Sequence, residues 1–122
     1  MNRISKRYAK QSRDFHTRDY LNRLRALRSV NGDNQTEFAQ RLGVAYKRWS
    51  NYERGYPMPR ATCWILHDRL GVSIDWLWFG EETNMPRELL AKIHKAMAKL
   101  GEIAKAEEEV EHAKAKLARL RG

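Results

Sequence analysis

Apolar residues in this chain recur at intervals of three and four, in short stretches that each end at a glycine, and no stretch alternates as a strand would. Tyr20, Leu24 and Leu27 share one face of a helix predicted from about Arg18 to Asn31, and Gly32 can take the left-handed turn that ends it. Asn34 followed three residues later by Glu37 is a capping-box pair, while Phe38, Ala39 and Leu42 give a second helix, Gln35 to Leu42, its apolar side. Gly43 stops that helix. Val44 and Ala45 leave room only for an abrupt change of direction into a third, about Tyr46 to Arg54, with Trp49 and Tyr52 turned inward. Gly55 ends it, a loop carrying Pro57 and Pro59 follows, and a fourth helix runs from Arg60 to Leu70 with Gly71 as its stop. Ser73 caps a fifth, Ile74 to Phe79. Five short helices without a strand predict an all-α module over residues 18–80.

Past Gly80 to Pro86 the pattern changes. Pro86 suits the first turn of a helix, and the residues from Arg87 to about Leu120 hold one glycine, Gly101, and no proline. A single helix of roughly 50 Å is predicted, at about 1.5 Å per residue. Its apolar positions come in two phases: Leu90, Ile93, Met97 and Leu100, then Ile103, Ala106, Val110, Ala113, Leu117 and Leu120. The second set keeps three-four spacing throughout and is a heptad seam, so residues 81–122 read as a C-terminal segment for dimerisation, possible as a coiled coil. The register breaks between Leu100 and Ile103, which predicts either a kink at Gly101 or a first half packed on the domain and a second half paired elsewhere. A homodimer, a hairpin folded back on its own domain and capture of another protein all satisfy this seam.

Charge narrows the class of partner. The 122 residues suffice for one compact domain and an appendage, and 24 Lys and Arg against 15 Asp and Glu leave a net charge of +9. Residues 1–80 hold 15 basic and 7 acidic side chains, whereas 81–122 hold 9 and 8, so the positive field belongs to the first part. A polyanion is the expected partner. A membrane surface would suit the same charge, yet no apolar run approaches the roughly 18 residues of a span, and the N-terminus lacks an apolar signal core. We therefore expect a cytoplasmic protein with no membrane partner. Residues 1–17, with Arg3, Lys6, Arg7, Lys10 and Arg13, read as a basic flexible arm, either solvated or in contact with DNA. A lone Cys63 and four scattered histidines offer neither a disulfide nor a metal cluster, so no cofactor is expected. Nor do a phosphate loop or a paired nucleophile and base suggest an enzyme.

Two short helices joined by a tight glycine turn are the signature of a helix-turn-helix. The ordered set Gln35, Glu37, Phe38, Ala39, Leu42, Gly43, Val44, Ser50, Asn51, Tyr52, Glu53, Arg54, Gly55 and Pro59, then Gly71, Val72, Ser73, Asp75, Trp76, Leu77 and Gly80, resembles the Xre-type, lambda-repressor-like DNA-binding domains of phage and bacterial regulators. The resemblance covers roughly residues 18–80, about half of the chain. It implies a five-helix domain in which the second helix of the motif enters the major groove. Gln35 matches a position that commonly touches a phosphate, and Tyr46, Lys47, Ser50 and Asn51 match those presented to base edges. Lys can donate to guanine, Asn can pair with adenine in a bidentate manner, and Tyr46 can offer its ring to a thymine methyl. Arg48, Arg54 and Arg60 suit phosphates, which position a protein without reading sequence. The family often pairs an arginine late in the first helix with the glutamate closing the third; Arg28 and Glu53 stand at the matching positions. Asp33 stands where an apolar residue is usual, Ala45 replaces the usual Ser cap, and Trp49 is larger than the common Ile or Val.

The function so implied is a sequence-specific transcriptional regulator, a dimeric repressor on a palindromic operator. The alternative is an antitoxin or adaptor that holds a partner protein through its C-terminal helix and regulates its own promoter.

Overall fold

The computed structural model describes residues 18–121, which form six helices in succession: α1 Tyr20–Ser29, α2 Gln35–Leu42, α3 Tyr46–Tyr52, α4 Arg60–Leu70, α5 Ile74–Phe79 and α6 Arg87–Arg121. No strand occurs among the described residues. The arm expected over residues 1–17 lies outside them. None of the six helices is long and apolar enough to cross a membrane.

Local chemistry sets most of the boundaries. The side chain of Asn34 accepts from the Glu37 backbone N–H at 2.8 Å while Glu37 accepts from the Asn34 N–H at 3.0 Å, so both halves of the capping box are made at the start of α2. Asn34→Ala is expected to lower stability by about 1 kcal/mol, read as a lower urea midpoint with an unaltered m value. Gly43 ends α2 with φ +72°, and the nearest atom to a Cβ placed there would be 3.9 Å away. The turn needs the conformation rather than the space. At Gly71 both matter: φ is +77°, and a Cβ would meet the Pro86 ring at 3.1 Å. α1 and α3 are each shorter than the sequence pattern suggests. Val30 N–H bonds back to the Leu27 carbonyl and Gly32 N–H to that of Ser29, while Arg54 and Gly55 bond to Asn51 and Tyr52. These three-residue closures tighten the last turns and draw the helix ends inward.

α1 is the spine. Its buried side chains Tyr20, Leu24 and Leu27 follow the three-four period, and α1 packs against both α5 and α6, while α2 packs against α3 and α4. Trp49 is fully buried and meets Phe38 at 4.8 Å between ring centres and Tyr52 edge-on at 6.0 Å. Those contacts wedge α3 against α2. The core does not stop where the composition changes at residue 80. Met85 and Ile93 are buried in it, and Leu89, Leu90, Ala96, Met97 and Leu100 pack along its edge. The first half of α6 is therefore fastened to the helical body. From Gly101 to Arg121 every residue is exposed, and the helix runs without a break through Gly101.

Candidate nucleic-acid interface

The inward side of α3 decides what its outward side can be. Trp49 and Tyr52 face the core, Tyr52 shares a hydrogen bond with Thr62 at 3.2 Å, and Glu53 is only 2% exposed. Seven residues wound at 3.6 per turn then place Tyr46, Lys47 and Arg48 in solvent, with Asn51 half-buried one turn beyond Lys47. Arg54 follows immediately, and Arg60 opens α4; both are exposed. Gln35 is half-buried at the first position of α2. Ser50 differs from its expected place, being 7% exposed, and so stands apart from the solvent-facing set. α3 also starts without a side-chain cap, since Ala45 has no acceptor to offer.

Residues 46–60 contain four basic side chains and a single carboxylate, Glu53. That carboxylate is turned away and neutralised. Arg28 donates to it through Nε at 2.7 Å and Nη2 at 3.0 Å, and the Trp49 indole N–H donates to the same group. Among the described residues Lys47, Arg48, Arg54 and Arg60 form no ion pair. The result is an exposed basic stretch from Lys47 to Arg60 whose one carboxylate is consumed in the core.

Asp33, where the resemblance implies an apolar residue, takes part in the same clamp. It is 8% exposed and accepts from Arg41 Nε at 2.9 Å and Nη2 at 3.0 Å, which raises the Arg41 pKa above its ordinary value. Its backbone carbonyl accepts from Arg28 Nη1 at 3.1 Å, and Arg69 donates to the Arg41 carbonyl at 3.0 Å. α1, α2, α3 and α4 are thus tied by one polar chain. Asp33 precedes α2 and Arg41 lies in its last turn, a spacing easily mistaken for a solvated pair. Arg23 was likewise invisible in the pattern: it is 7% exposed, burial lowers its pKa, and Nε donates to the Leu77 carbonyl at 3.1 Å. It joins α1 to the end of α5.

Cys63 is buried within α4, and burial raises its thiol pKa, which disfavours the nucleophilic thiolate. No group of three or more His, Cys, Asp and Glu side chains is placed to hold a metal among the described residues. No protein-family model, no curated protein and no solved structure matches the chain.

Proposed function

We propose that this protein is a sequence-specific DNA-binding transcriptional regulator, a dimeric repressor acting on a palindromic operator. In this reading α2 and α3 form a helix-turn-helix, with α3 in the major groove. The observation that carries it is the outward side of α3, where Tyr46, Lys47 and Asn51 stand in or near solvent amid arginines that form no ion pair among the described residues, while Glu53 is held inside. Three further features support it: the concentration of positive charge in residues 1–80, the three-residue turn Gly43 to Ala45, and the wedge of Trp49 on Phe38 that fixes the angle of α3. Arg48, Arg54 and Arg60 then hold phosphates, and Lys47 and Asn51 read bases.

Selection of bound duplexes from a random pool tests the reading directly. A recovered motif with two-fold symmetry supports it, and a pool that never enriches overturns it. Lys47→Ala and Asn51→Ala, four residues apart on one face, should each weaken binding to the selected site by about 1–3 kcal/mol and relax preference at one base pair per half-site. Binding to scrambled duplex should barely change. Equal losses on both duplexes would reassign these two side chains to the phosphates.

A further inference from the structure

The second half of α6 is an apolar seam with nothing on it. Ile103, Val110, Leu117 and Leu120 are 49%, 51%, 50% and 76% exposed, and Ala106 and Ala113 lie between them on the same face. We propose that this face pairs with a second copy of the chain in antiparallel orientation, in one register. Ile103 then meets the partner's Leu120, Ala106 the partner's Leu117, and Val110 the partner's Ala113, each layer occurring twice about the two-fold axis. Every alanine faces a larger residue, so the layers fill evenly. A parallel pair would instead stack alanine on alanine at 106 and 113 and leave those two layers thin.

Charge selects the same arrangement. Glu102, Glu109 and Lys116 precede the first position of each seam heptad, and Glu107, Lys114 and Arg121 follow the second. Side by side in parallel, such flanks place Glu102 near the partner's Glu107 and Lys116 near the partner's Arg121, leaving Glu109 with the partner's Lys114 as the one attraction. In the antiparallel register Glu109 lies beside the partner's Lys116 and Glu107 beside the partner's Lys114. Both are attractive and neither like-charge contact forms. Sliding the antiparallel pair by one heptad in either direction leaves two of the six seam positions unmatched and brings residue 109 or 114 against its own copy.

A third observation lies at the end of the seam. An open groove of about 250 Å³, lined by Ser29, Gly32, Asp33, Ala96, Leu100 and Ile103 among others, separates α6 from the end of α1. Ile103 belongs to both the groove and the seam, so the partner's Leu120, the most exposed of the four large seam residues, arrives at the mouth of that groove. The two helical bodies lie at opposite ends of the pair. Leu100, the last residue packed on each body, is about 35 Å along the axis from the partner's Leu100, at about 1.5 Å per residue. On the DNA-binding reading this is the scale of one turn of duplex; the pairing itself needs no DNA.

Disulfide trapping without DNA tests the proposal, using chains of all 122 residues that carry Cys63→Ala. When chains with Ile103→Cys are mixed with chains with Leu120→Cys and oxidised, a mixed dimer is expected, and neither chain should cross-link alone. Self-linking of the Ile103→Cys chain would establish the parallel pair and overturn the proposal. Sedimentation equilibrium of the chain bearing only Lys116→Glu gives an independent reading, because this change sets glutamate beside the partner's Glu109 in the antiparallel pair but beside the partner's Arg121 in the parallel one. Dimerisation should weaken about tenfold. Stronger dimerisation, or an unaltered chain that stays monomeric at high concentration because another protein or nothing covers the face, overturns the proposal. Loss of DNA binding with the trapped dimer intact would count against the functional reading alone.

Discussion

Arg28→Ala should lower the unfolding free energy by about 3–5 kcal/mol, the largest loss expected from any single polar substitution in this domain. The reason is what it leaves behind. Glu53 is 2% exposed, and among the described residues its carboxylate would, without Arg28, keep only the Trp49 indole N–H, with Arg25 at 4.0 Å too far for a hydrogen bond. Glu53→Ala should cost less, because the stranded guanidinium of Arg28 is 20% exposed and still bonds the Asp33 carbonyl. The double variant should be far less damaged than the sum of the two singles, since each single exposes the same broken pair. Urea unfolding of the three variants measures this. A loss below about 1 kcal/mol for Arg28→Ala would show that water replaces the pair at no great cost.

The helices whose ends are written in neighbouring residues were the legible ones. α2 and α5 begin and end, and α4 ends, where the Asn34 and Glu37 pair, Ser73, and the glycines at 43, 71 and 80 place them, because caps and left-handed turns act within four residues. The Arg28 to Glu53 pair was anticipated too, but through resemblance, since nothing local links residues 25 positions apart. What stayed hidden depends on assembly. Asp33, unexpected at an apolar position, is held by Arg41, and Arg23, which no local pattern marks, donates to the Leu77 and Trp78 carbonyls of α5. The register break after Leu100 did mark a change of surroundings, with the first phase on the core and the second in solvent.

The candidate interface was legible in a similar way and for a similar reason. Once Trp49 and Tyr52 are assigned inward by their size and apolarity, the 3.6-residue period dictates that Lys47 faces away, and the structure places it there. Ser50 was harder, because a small polar side chain carries no preference strong enough to fix its side of a seven-residue helix. On the proposed reading, the division between residues that would position DNA and residues that would read it does not follow from burial at all. It has to be measured through the ionic strength of the solution.

Affinity for the selected duplex should fall on the order of 10³-fold between 50 and 200 mM salt if Arg48, Arg54 and Arg60 of both copies each neutralise a phosphate, which gives a slope of about −5.4 in log affinity against log salt. Each contact releases condensed counterions, and the entropy of that release shrinks as the bulk salt rises. Arg48→Ala, Arg54→Ala and Arg60→Ala should therefore each flatten the slope by about 1.8 for the dimer, and should weaken binding to scrambled duplex as much as to the operator. All three side chains are exposed and without ion pairs among the described residues, so their removal leaves the fold intact. Lys105→Ala supplies the control: it sits on the exposed half of α6, carries the same charge, and should leave the slope unaltered. A slope that Lys105→Ala flattens as much as Arg54→Ala would mean that net charge attracts the duplex without any docking of α3. A slope near zero for the unaltered chain would remove DNA as the partner.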